Sequence, residues 1–167
     1  MKVLNFEDSV YKANAIRKIL GNRCSVASVE QVSNVEDGLK MLKDAENAGE
    51  PFNLIITDMH FPMRSGAISD TEAGEKLVQI LQEQGNQTKI IVCSSRNMKL
   101  PGVYGCIWYS EISDWEEELC DLVREMEKSK GFTRCMIRTN PATLKLQRLP
   151  VFVVSVFDFI QKRCWVM

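Results

Sequence analysis

Over its first 130 residues the chain alternates between short apolar runs and longer amphipathic stretches. "KVLNF" (2–6) is a strand candidate, after which Val10, Ala13, Ile16, Ile19 and Leu20 recur at helical spacing until Gly21, a residue able to end the helix. "SVASVEQ" (25–31) alternates as a strand does. A second helix begins near Asn34, carries Val35, Leu39, Leu42 and Ala45, and stops before "GEP". "FNLIIT" (52–57) is a continuous apolar run, as expected of a strand buried on both faces of a parallel sheet. Ser69 with Glu72 reads as a capping box opening a third helix that bears Ala73, Leu77, Ile80 and Leu81. "KIIVC" (89–93) and "YGCIWY" (104–109) complete five strands, and Ser113 with Glu116 is expected to cap a last helix with a stripe of Trp115, Leu119, Leu122 and Met126. Strands alternating with helices predict an α/β fold, a parallel sheet with helices on both faces.

Composition narrows the class. A chain of 167 residues is long enough for one domain with a sizeable core and short for two. Glu7 and Asp8 interrupt the N-terminal apolar run before a signal-peptide core can form, and the longest apolar run, "LPVFVVSVF", is too short to span a bilayer. Six cysteines form no C-x-x-C pair, and there is one histidine, which disfavours a zinc site and fits reduced thiols in a cytoplasmic protein. Charge is uneven. Residues 1–130 hold 15 basic and 21 acidic side chains, a net of −6, whereas residues 131–167 hold six basic and one acidic, a net of +5. That shift marks a boundary between a domain over 1–130 and a basic, apolar tail over 131–167.

The strand ends carry the chemistry. In parallel α/β sheets, functional groups collect beyond the carboxyl ends of the strands. Here those ends offer Glu7 and Asp8 after the first strand, Asp58 after the third, and Ser94 and Ser95 after the fourth. If the first and third strands are neighbours, three carboxylates crowd one edge and need a proton or a cation at neutral pH. A hard divalent ion answers that need, and Mg²⁺ suits one or two carboxylates with waters and a phosphoryl oxygen.

The acidic pair in "NFEDS", together with "VEDGLKML", "LIITDMHFP" and "IIVCSS" in this order, resembles the receiver domains of two-component response regulators over most of residues 1–128. The resemblance implies a flavodoxin-like, doubly wound sheet of five strands in the order 2-1-3-4-5. It makes Asp58 the phosphoacceptor, served by a histidine kinase, a phosphotransfer protein or a small phosphodonor, with Mg²⁺ as cofactor. Asp8 and Asp58 would touch the metal, Glu7 would reach it through water, and His60 would offer its backbone carbonyl. Pro62 would shape the following loop, Ser94 would be the switch hydroxyl, and Ser95 the small residue leaving the phosphoryl group room. Phosphoryl transfer to a carboxylate depends on alignment and charge neutralisation more than on a base. The output would run through protein contacts with an unnamed downstream protein or in a homodimer, with no nucleic acid and no turnover of an external substrate.

Three departures from the family pattern weigh against full function. Tyr109 stands where receivers carry a lysine, and Ser110 where they carry a proline. A charged hydrogen bond is worth about 1.5–3 kcal/mol, roughly 10- to 100-fold in an equilibrium, so switching should weaken unless Lys99 or Arg96 substitutes. "RNMKLPGV" is short and holds Pro101, so the fourth helix is expected to be short or missing, and Cys106 replaces an aromatic that often reports switching. "MRSGAISD" lengthens the loop after Asp58, as a solvated loop or a lid, and places Gly74 late. A pseudo-receiver, the same fold acting as a binding module without phosphorylation, is the alternative. A dehalogenase-type phosphatase would need an aspartate where His60 stands, and no phosphate-cradling loop for flavin follows the first strand.

Overall fold

The computed structural model describes residues 1–24 and 26–136, with side chains as far as Ser129. Seven strands and four helices follow in order: β1 (Lys2–Phe6), α1 (Val10–Arg23), β2 (Ser28–Val32), α2 (Val35–Asn47), β3 (Leu54–Thr57), β4 (Phe61–Pro62), β5 (Ser69–Asp70), α3 (Ala73–Glu83), β6 (Lys89–Ser94), β7 (Gly105–Trp108) and α4 (Trp115–Met136). Five strands form one parallel sheet in the order β2-β1-β3-β6-β7. Counting only those five, this is the 2-1-3-4-5 order expected from the sequence. The tail expectation falls almost wholly outside the described residues. Residues Met1–Lys130 form one compact unit.

Strand alternation divides the core into two layers. Val3, Leu54, Ile56, Ile91 and Cys93 point to one face, where Ile16, Ile19 and Leu20 of α1 meet Leu119, Cys120, Val123 and Met126 of α4. Leu4, Phe6, Ile55 and Ile90 point to the other, against Val35, Leu42 and Ala45 of α2 and Leu77, Val78 and Leu81 of α3. Every residue of β3 is buried, as its unbroken apolar run predicted. Close approach decides two glycines. A Cβ on Gly38 of α2 would lie 2.0 Å from the Phe6 ring, and one on Gly74 of α3 would lie 2.1 Å from the Asp58 carbonyl.

Several local expectations fail for identifiable reasons. Helix α1 runs past Gly21 to Arg23, because Leu20 and Cys24 are buried and hold the last turn against the core. Val10 is 67% exposed, so the buried stripe of α1 starts later than the apolar pattern suggested. Ser69 does not cap α3. It pairs with Pro62 in the small antiparallel β4–β5 hairpin, which is what the extended loop after Asp58 becomes. Asp70 instead accepts from the Glu72 N–H at the start of α3 and ion-pairs with Lys76 at 2.6 Å. Ser113 donates its hydroxyl to the carbonyls of Trp108 and Ser110, and α4 begins at Trp115. Between β6 and β7 there is no helix, as the short, proline-interrupted connection predicted.

Candidate functional site

The parallel register brings the acidic strand ends together. Phe6 pairs with Thr57, and the Asp58 N–H donates to the Phe6 carbonyl at 3.0 Å, so Glu7 and Asp58 leave adjacent strands side by side. Thr57 also pairs with Val92, which places Cys93 and Ser94 beside Asp58 on the other flank. The Ser9 side chain caps α1, and the Ser9 N–H donates to Glu7 Oε1 at 3.0 Å. That turn carries the chain from the acidic pair directly into the helix.

The cation at this edge comes from α1. Lys12 is buried, and its ammonium meets Glu7 Oε2 at 2.8 Å and Asp58 Oδ1 at 3.2 Å, while donating to the Cys93 carbonyl at 2.7 Å. Its three N–H donors thus face three acceptors, one from each of the β1, β3 and β6 ends. The Tyr109 ring lies 5.2 Å from the same nitrogen. Burial opposes the Lys12 charge, but the Asp58 and Glu7 carboxylates outweigh it and raise its pKa, so the ammonium stays protonated. Burial also pushes the Glu7 carboxyl above its usual range, with the Lys12 charge pulling the other way and the Asp58 charge adding to the rise. Asp58 Oδ1 is sealed from solvent although the side chain is 15% exposed, so the accessible part of the carboxylate lies away from Lys12.

The remaining expected residues stand around this cluster. Asp8 is exposed and accepts a hydrogen bond from Ser69 Oγ at 3.3 Å, which links it to the β4–β5 hairpin. His60 follows Asp58 by two residues with its side chain exposed. Ser94 is buried at the end of β6, where its hydroxyl accepts from the Arg96 N–H at 3.3 Å. Tyr109 donates its backbone N–H to the Ser94 carbonyl at 2.8 Å and packs its ring 4.7 Å from that of Trp115. Burial raises the Tyr109 pKa, so its hydroxyl stays neutral. Arg96, one of the two proposed substitutes for a lysine, is committed elsewhere: its guanidinium donates to the Thr71 carbonyl at 2.8 Å.

A metal's fit can be judged from the donors. Glu7, Asp8 and Asp58 offer carboxylate oxygens, the donor type a hard divalent cation takes, but one oxygen each of Glu7 and Asp58 is already paired with the Lys12 ammonium. Among the described residues no three His, Cys, Asp and Glu side chains form a metal-holding group.

No protein-family model matches the sequence, and no curated protein matches it. Solved structures do. A signal receiver domain from Vibrio parahaemolyticus superposes with a TM-score of 0.59 at 13% identity, over 83% of this chain and 98% of that one. The response regulatory domain of MrkE from Klebsiella pneumoniae gives 0.59 at 14% identity, over 79% and 99% of the two chains. The phosphorylated cyanobacterial phytochrome response regulator RcpA gives 0.55 at 15% identity, over 76% and 91%. The fold is that of a response-regulator receiver domain. Within this receiver fold, Asp58 sits at the carboxyl end of the central strand β3, with Glu7 at the end of the neighbouring strand β1.

Lys12 is the site residue that the sequence reading missed. Its signal was present, because Lys12, Ile16 and Leu20 are spaced four apart and share one helical face. A lysine on that buried stripe needs a partner, and two carboxylates preceded it in the chain. Among the described residues, no helix is long and apolar enough to cross a membrane.

Proposed function

We propose that the chain is a phosphoacceptor in phosphorelay signalling, taking a phosphoryl group on Asp58 from a histidine kinase, a phosphotransfer protein or a small acyl phosphate. The carrying observation is the partly exposed Asp58 carboxylate, held by a buried cation at the carboxyl edge of a receiver-type sheet. Asp8, Asp58 and the His60 carbonyl would hold Mg²⁺, with Glu7 reaching it through water. The ion would neutralise charge on the incoming phosphoryl oxygens. The chain's own part is to fix Asp58 between β1 and β6, keep one carboxylate oxygen paired, and leave the rest accessible. Ser94 would then hydrogen-bond the phosphoryl group, and its movement would alter a surface read by a downstream protein.

The test is intact-mass analysis after incubation with acetyl phosphate, with and without Mg²⁺, beside Asp58→Ala. One Mg²⁺-dependent phosphoryl adduct, absent from the variant, is the expected result. A folded chain that binds Mg²⁺ but gains no adduct is instead a pseudo-receiver binding module. Tyr109 at the expected lysine position and the missing helix between β6 and β7 favour that second reading.

A further inference from the structure

We propose that Lys12 on α1 is the residue that holds a phosphoryl oxygen on Asp58, a catalytic and anchoring role supplied from a helix rather than from the end of β7. The inference rests on Asp58 being the phosphoacceptor. Its basis is the position of the ammonium, which two acceptors from β1 and β6 hold beside Asp58 at the end of β3. The contacts to the Cys93 carbonyl at 2.7 Å and Glu7 Oε2 at 2.8 Å are short, whereas the contact to Asp58 Oδ1 is the longest of the three at 3.2 Å. Below it, Ile16 and Leu20 anchor α1 in the core, so the lysine stem rises from a fixed base.

Transfer changes what Asp58 offers that ammonium. A bond forms between a carboxylate oxygen and phosphorus, and the bond from phosphorus to the bridging oxygen of the acyl phosphate breaks. The electron pair leaves with the departing carboxylate, and no proton is needed. Asp58 goes from one negative charge to a phosphoryl group carrying about two. Its own oxygens become poor, ester-like acceptors, while the phosphoryl oxygens become strong ones. Lys12 is the cation ion-paired with Asp58 among the described residues, and a small shift of its third hydrogen bond moves it from carboxylate to phosphoryl oxygen. Two other basic side chains are committed elsewhere: Lys76 pairs with Asp70, and Arg96 binds the Thr71 carbonyl. The aromatic ring of Tyr109 leaves room for this arrangement, with its face 5.2 Å from the ammonium, where a second lysine would repel it.

The experiment compares wild type, Lys12→Gln and the double variant Lys12→Gln/Tyr109→Lys, following adduct formation with acetyl phosphate and Mg²⁺ by intact mass. Circular dichroism establishes that each is folded. Loss of one charged hydrogen bond predicts adduct formation slowed about 10- to 100-fold in Lys12→Gln, with recovery in the double variant. A merely structural Lys12 would not be rescued by a lysine placed directly after β7. A second measurement follows the side-chain ¹³Cε resonances of lysine in the wild-type chain on adding beryllofluoride, a phosphoryl mimic. The Lys12 signal is expected to shift, and Asp58→Ala to abolish the shift. Wild type and folded Lys12→Gln labelled at equal rates overturns the role of Lys12 and leaves Asp58 as acceptor. If Lys12→Gln does not fold, an unmoved Lys12 signal overturns it instead. A wild-type chain that gains no adduct overturns both.

Discussion

At the scale of single residues, the site depends on contacts that leave no room for adjustment. Gly74 shows this. The missing side chain lets α3 approach until its backbone N–H donates to the Met59 carbonyl at 3.2 Å, and an added Cβ would meet the Asp58 carbonyl at 2.1 Å. Backbone cannot rotate away as a side chain does, so Gly74→Ala must push Asp58 or α3 aside. Overpacking of this kind costs about 1–3 kcal/mol. Denaturant unfolding should show that loss, and acetyl phosphate labelling of the folded fraction should slow as well. Normal labelling in a destabilised Gly74→Ala chain would show that Asp58 keeps its position, with α3 absorbing the strain. The sequence marked Asp58, Glu7 and Ser94 correctly as strand-end groups, because an unbroken apolar run followed by a polar residue is a local signal. It did not reveal Lys12, because an ammonium's partners are set by strand register and helix rotation, neither of which is local.

At the scale of elements, the two layers depend on how closely each helix can lie on the sheet. Helix α2 lies on β1 where Gly38 faces the fully buried Phe6 ring, whose centroid is 6.1 Å from that of Phe61. A methyl group at Gly38 would sit 2.0 Å from a ring atom, and a ring closed in on all sides has no free rotamer to take. Gly38→Ala should therefore destabilise the fold by about 1–3 kcal/mol, read from urea unfolding midpoints at unchanged slope. A stable Gly38→Ala would mean that α2 slides along the sheet to make space. The five core strands and all four helices were legible from periodicity, since each buries an apolar face of regular spacing. What was not legible lies at element ends. The Ser69–Glu72 spacing matched a capping box, yet the hairpin partner Pro62 and the Asp8 carboxylate took Ser69 into β5 instead. A local motif lost to a pairing seven residues away in the chain.

At the scale of the whole molecule, the described core ends before the composition changes. Among the described side chains, the last buried apolar residue of α4 is Met126, and the sheet with Glu7, Asp8, Asp58 and Ser94 at its strand ends lies within Met1–Lys130. The charge step falls at the same place, with a net of −6 up to residue 130 and +5 beyond it. A chain ended after Lys130 should therefore fold on its own, unfold in one cooperative transition and give the same outcome as the full chain in the acetyl phosphate test. Differential scanning calorimetry of both forms is the check, with the melting temperature expected to agree within a few degrees. About 1 kcal/mol of lost packing would lower it by roughly 4–8 °C for a domain near 100 residues and somewhat less at this length. A larger fall, or loss of cooperativity, would make residues 131–167 part of the folded core. The charge consequence separates from the stability one: the shortened form, freed of five net positive charges, should bind an anion exchanger more tightly at neutral pH. If it folds and labels normally, every group needed to accept a phosphoryl on Asp58 resides in the sheet and its four helices.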